Sequence, residues 1–187
     1  MEFLSVLWLP ILLSAVIVFA VSSIIHMVFK YHNSDYQALP GEDAILAAMR
    51  DQGVAPGFYA FPRCHSMKEL GEPDMVAKFE KGPVGFAIVN PNGPPAMGKA
   101  LVLWFLFSVL ISIFAAYLGF FALGRGAEYM DVFRFVGTLA FLAYGVAGLV
   151  DGIWKGVPWS SVFKHVFDGL VFGLVTAGTF AWLWPGF

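Results

Sequence analysis

Residues 3–29 read FLSVLWLPILLSAVIVFAVSSIIHMVF, a run without one Asp, Glu, Lys or Arg. A helix needs about 20 predominantly apolar residues to cross the hydrocarbon layer of a bilayer, and this stretch exceeds that. Three further runs, 100–123, 132–154 and 162–184, are of the same kind. The pattern predicts an all-α polytopic membrane protein: four transmembrane helices, with a small α+β extramembrane insertion between helices 1 and 2. The expected organisation is 1–30 as transmembrane helix 1, 31–98 as the extramembrane mini-domain, and 99–187 as a three-helix transmembrane region. An even number of crossings places the insertion and the 155–161 turn on one side. That side then collects His26, His32, His65 and His165, the single cysteine Cys64, and the membrane-edge acids Asp151 and Asp168.

Composition agrees with that class. Hydrophobic residues make up 59% of the 187 and charged ones 13%, with a mean hydropathy of +0.75, outside the range of an ordinary soluble domain. A net charge of −2 and the lack of a basic tract argue against nucleic acid as a partner. One cysteine forbids an intrachain disulfide. Met1-Glu2 offers an acid where a secretory signal has a basic start, and the apolar run outlasts a signal core, so the segment reads as a retained span. Lys30, Lys99, Lys155 and Lys164 flank the insertion side, against Arg125 and Arg134 opposite. Positive residues favour the cytoplasm. This predicts a cytoplasmic insertion, with both termini on the other side.

The spans carry their own packing instructions. Lipid supplies no hydrophobic drive between helices, so small residues that admit close backbone approach mark the seams. Span four repeats Gly169, Gly173, Ala177 and Ala181; span three has Ala140, Gly148, Gly152 and Gly156 in the same register, broken by Tyr144; span two adds Ser108, Ser112 and Ala116. A tight hairpin of spans three and four, with span two alongside, is expected. A homodimer seam is the alternative use of one stripe. Trp104, Trp154 and Trp159 are expected in an aromatic belt on the insertion side, with Trp8, Trp182 and Trp184 at the other interface. Ser160 or Ser161 is the expected N-cap of span four.

The insertion is charged and solvated. Gly41–Gln52 reads as a helix with Glu42 and Asp43 in its first turn and Gly53 after its end. Phe58–Phe61 and Val84–Val89 are strand-like runs bounded by Pro and Gly, and Pro73–Lys81 fits a helix opened by proline. So small a unit is marginal alone and is expected to lean on the bilayer surface, the spans or a partner.

Chemistry-bearing residues are few. Asp151 and Asp168 are candidates for proton or ion handling, because an ionisable group within a span is costly. Each also has a local remedy: Asp151 with Lys155 and Asp168 with Lys164, four residues apart. Asp168 and His165, three apart, could form a carboxylate–imidazole pair. Cys64-His65-Ser66-Met67 offers soft and borderline ligands of the kind that suit copper or zinc, without a CxxC or HExxH spacing. A metal or haem site would need His26, Cys64, His65, His165 and Asp168 to converge. On one continuing helix His26 and His32 would lie about 240° apart and share no face. Ser22 and Ser23 should bond their own helix backbone. No nucleophile elbow, phosphate loop or dinucleotide fingerprint occurs, so no catalytic residues are assigned and the reading leans away from an enzyme.

The wording of several stretches resembles a group of uncharacterised bacterial membrane proteins: 22–32 (SSIIHMVFKYH) with Asp35-Tyr36 and Leu39-Pro40, 56–62 (PGFYAFP), 81–85 (KGPVG), 167–171 (FDGLV) and 176–180 (TAGTF). The resemblance implies a bacterial inner-membrane protein and carries no activity or site residue with it. Three functional expectations follow. The leading one is a non-catalytic accessory or assembly subunit that presents its insertion to a membrane-protein partner or to a second copy. The second is a metal- or haem-binding protein handling electrons or protons. The third is a small oligomeric transporter or channel.

Overall fold

The computed structural model describes residues 2–186. In chain order they form α1 (Glu2–Val6), α2 (Trp8–Ile24), α3 (Glu42–Asp51), β1 (Gly57–Phe61), α4 (Met67–Leu70), α5 (Pro73–Lys81), β2 (Gly85–Val89), α6 (Met97–Leu123), α7 (Tyr129–Tyr144), α8 (Leu149–Lys155) and α9 (Trp159–Trp182). Four helical stretches are long and apolar enough to cross a membrane: Trp8–Phe29, Met97–Leu123, Tyr129–Lys155 and Trp159–Trp182. They belong to one compact unit, formed by the chain up to Tyr36 and from Ala96 onward; Gln37–Pro95 forms a second. Residues 31–36, assigned from the sequence to the insertion, therefore pack with the helices.

The first apolar run is not one helix. Pro10 lacks an amide hydrogen, and its ring crowds the carbonyl four residues back, at Val6, so the chain breaks at Leu7 between α1 and α2. Buried Leu7 and Ile11 then pack with Ala115, Ala116, Val132, Val136, Phe180 and Ala181 into the core at that end. At the other end Val18, Ile25 and Phe172 form a second core, against which Tyr31, Trp104 and Tyr144 pack. Between them Ser14 and Ser112 share a buried hydrogen bond of 2.9 Å that ties α2 to α6.

The expected hairpin of spans three and four is present, in a different register. A Cβ added to Gly137 would lie 2.9 Å from the Ala177 Cβ, one on Gly173 3.0 Å from the Phe141 nitrogen, and one on Gly169 2.3 Å from the Gly145 Cα. Every fourth residue of α7 thus meets every fourth residue of α9 in reverse order, which is how small residues bring antiparallel helices close. Gly148 and Gly156 face open space, while Gly152 meets Val162 and Trp159 of α9 and Ala140 is buried, so only part of the expected stripe packs inward. Tyr144 breaks that stripe, and at Gly145 (φ −110°, ψ −59°) the helix itself breaks, resuming as α8 after a short turn.

Two details differ from the sequence reading, and one adds to it. The Trp104 indole turns inward and donates to Ser22 Oγ at 2.8 Å, rather than joining a belt. Trp184 donates to the Gly124 carbonyl at 2.9 Å, tying the turn after α6 to the end of the chain. Neither Ser160 nor Ser161 caps α9, which opens after Pro158 without a side-chain cap; Ser161 is used elsewhere.

In the second unit β1 and β2 pair antiparallel, Gly57 opposite Val89 and Phe61 opposite Gly85. Helices α3 and α5 lie where glycine and proline signals placed them. The sequence reading missed α4: Ser66 caps it by accepting from the Glu69 amide at 3.2 Å, while the Glu69 carboxylate accepts from the His65 amide at 2.7 Å. This closely resembles a capping box, and Ser-x-x-Glu was legible in the sequence.

Candidate functional site

The site begins where the first candidate span ends. After Ile24 the helix widens into a π-turn, Ile25–Phe29, closed by the Lys30 amide donating to the Ile25 carbonyl at 3.3 Å. Lys30 then adopts a left-handed conformation (φ 52°, ψ 18°), which no regular helix can continue through. A 3₁₀ turn, Tyr31–Asp35, follows. This reversal returns His32 beneath His26, with ring centroids 4.7 Å apart and planes 2° from parallel. The expectation that these histidines share no face fails because its premise, a continuing helix, fails.

His32 is buried, and both of its ring nitrogens meet carboxylates. Nδ1 lies 2.6 Å from Asp35 Oδ2 and Nε2 lies 2.7 Å from Asp168 Oδ2. Asp168, on α9, is only 4% exposed, and its other oxygen accepts from the Tyr31 phenol. Asp35 is held from its far side: Lys164 Nζ lies 2.6 Å from Oδ1, and Ser161 donates to the same oxygen at 2.9 Å. Lys164 also donates to the Tyr31 carbonyl at 3.0 Å and to Ser34 Oγ at 2.7 Å. Two carboxylates, an imidazole and an ammonium thus meet in one largely buried cluster.

These contacts shift two groups that lie outside the candidate spans. Burial works to raise the Asp35 carboxyl but is outweighed by the hydrogen bonds from Lys164, His32 and Ser161, which bring it down to about 2. Burial, then the Asp168 and Asp35 carboxylates, push the Tyr31 phenol above its ordinary range.

Two more imidazoles border the cluster. His26 stacks on His32, and its Nδ1 lies 2.9 Å from the Ser22 carbonyl, to which it donates. His165, on α9, meets His32 edge-on at 4.9 Å between centroids. His26, His32 and Asp168 each offer a ligand atom within 4.8 Å of the others, as do His32, Asp35 and His165.

Of the residues singled out from the sequence, His26, His165 and Asp168 come together here. Asp168 does not take Lys164 as its partner. A lysine preceding an acid by four residues is the weaker orientation on a helix, and Lys164 reaches Asp35 instead. Asp151 and Lys155 have the better order and pair at 2.6 Å, half exposed. Ser22 and Ser23 both bond the Phe19 carbonyl. Cys64 and His65 lie in the other unit, just before α4. Among the described residues, neither joins a group with metal-ligand spacing. The sequence reading had no role for Tyr31, His32, Asp35 or Ser161 in the site. The available signal was His32-Asn33-Ser34-Asp35, a turn-forming run with a histidine and an acid three apart, directly after a span.

No protein-family model, curated protein or solved structure matches this chain.

Proposed function

We propose that this chain is a multi-pass protein of the bacterial inner membrane that works through a metal ion held at the histidine–carboxylate cluster, in redox or proton handling. The observation that carries this reading is Asp168: an acid within a candidate span, almost wholly buried, facing His32 and Tyr31 from a separate segment. Intramembrane ionisable groups of this kind are kept for chemistry more often than for stability, because burying them is expensive. A purely structural latch would need one cation opposite Asp168. It would not need His26 and His165 gathered around the same ring. The excess of lysine over arginine-bearing ends supports a cytoplasmic position for the cluster and for residues 37–95. The resemblance to bacterial membrane proteins supports the compartment.

The test is metal analysis and an absorption spectrum of full-length protein purified in mild detergent. Stoichiometric bound metal is expected. A protein that carries none and takes up none when supplied overturns the reading.

A second reading is an accessory subunit that presents residues 37–95 to a membrane-protein partner or a second copy. It is favoured by the apolar surface of that unit, where Phe58, Phe86, Ile88 and Leu70 are exposed and only Met75 is buried among its large apolar side chains. Recovery of a stoichiometric partner or homodimer from mild detergent is the expected result; a stable lone monomer counts against it.

A further inference from the structure

We infer that His26, His32 and Asp168 form a mononuclear site for a first-row divalent ion of the zinc or ferrous class, a two-histidine, one-carboxylate set with open coordination positions. This rests on the metal-dependent reading above and names its ligands.

The hydrogen bonds select the ligand atoms. A metal-bound histidine characteristically donates its other ring N–H to a carboxylate or a backbone carbonyl, which fixes the tautomer and aims the free lone pair. Both arrangements occur here: His32 Nδ1 faces Asp35 Oδ2 at 2.6 Å, and His26 Nδ1 faces the Ser22 carbonyl at 2.9 Å. That leaves Nε2 of each ring to bind. A neutral His32 donating to Asp35 aims its Nε2 lone pair at Asp168 Oδ2, 2.7 Å away. Two such acceptors cannot face each other bare, so a cation must lie between them, a proton or a metal ion. Ligands bonding at about 2.0–2.1 Å to one tetrahedral ion sit roughly 3.3 Å apart, so metal entry widens this contact by about half an ångström. One ligand atom from each of the three residues lies within 4.8 Å of the others; the two rings stack 2° from parallel, so the exposed His26 side chain must swing for both lone pairs to meet one ion.

The surroundings are those of a supported site. Tyr31 holds the other oxygen of Asp168, and Lys164 and Ser161 hold Asp35. The second grouping, His32 with Asp35 and His165, is a poorer one. Lys164 Nζ stands 2.6 Å from Asp35, and its charge repels a cation there. Three protein ligands of mixed nitrogen and oxygen suit Zn²⁺ with one open position, or Fe²⁺ with three.

The experiment is a titration of chelator-stripped, full-length protein in mild detergent with Co²⁺, followed by its visible absorption and competed with Zn²⁺. One equivalent is expected. His26→Ala and Asp168→Asn should weaken binding more than 100-fold, and Asp35→Asn about 10–100-fold with stoichiometry unchanged. Cys64→Ser and His65→Ala, in the other unit, should bind as the parent does. His26 is exposed, so His26→Ala should keep the metal-free melting temperature, which separates ligand loss from unfolding. Uptake that survives His26→Ala overturns this ligand set while leaving the metal-dependent function standing. No uptake by the parent protein overturns both.

Discussion

The backbones of Gly145 and Gly169 are in contact, so that a methyl group on Gly169 would lie 2.3 Å from the Gly145 Cα and 2.8 Å from the Tyr144 carbonyl carbon. Neither obstacle can rotate away, because both are main chain. Gly169→Ala should therefore cost about 3 kcal/mol, at the upper end of overpacking, and lower the melting temperature in mild detergent. Gly178→Ala, with nothing within 4 Å, should be neutral or gain up to about 1 kcal/mol from helix propensity. Equal effects at the two glycines would contradict the seam.

The two acids within the candidate spans should separate cleanly. Asp168→Ala removes the partner of buried His32 and of Tyr31 and should cost about 3 kcal/mol. Asp151→Ala breaks a half-exposed pair with Lys155 and should change stability by less than about 1 kcal/mol. Melting of the two variants side by side is the measurement.

Lys164 holds the Tyr31–Asp35 turn by three contacts, to the Tyr31 carbonyl, Ser34 and Asp35. Lys164→Met leaves Asp35 buried without its ammonium and should cost about 3 kcal/mol. Amide exchange within 31–35 should rise well before that of α6. Unchanged exchange there would show that the turn is held by something else.

Ser66→Ala removes the cap of α4 and should cost about 1 kcal/mol locally. Faster exchange of the Glu69 amide is the readout, with the β1–β2 amides unaffected.

Four crossings require both chain ends on one side and residues 37–95 on the other. Single cysteines placed near each end and in the 37–95 unit, in a Cys64→Ser background, should label from opposite sides in sealed vesicles. Ends that label from opposite compartments would remove one span from the count.

Local order was legible for a physical reason. Long apolar runs, the glycine and proline at the ends of α3 and α5, and the short apolar stretches of β1 and β2 between proline and glycine are properties of neighbouring residues, which a linear reading captures. The acid-before-lysine pair Asp151–Lys155 was readable on the same grounds. The break at Leu7 was also open to such a reading, since Pro10 acts on a carbonyl only four residues back.

The cluster around His32 belongs to a different kind of information. It depends on Lys30 leaving the helical region, on the π-turn before it, and on α9 lying where Asp168 and Lys164 meet that turn. Residues 31 and 168 are far apart in the chain, and nothing local to either announces the other. The choice between Lys164 and His32 as the partner of Asp168 is a competition among contacts that exists only once the helices have packed. The same holds for the seam: composition showed glycines on spans three and four, but packing chose Gly137 and Gly145 over Gly148 and Gly156.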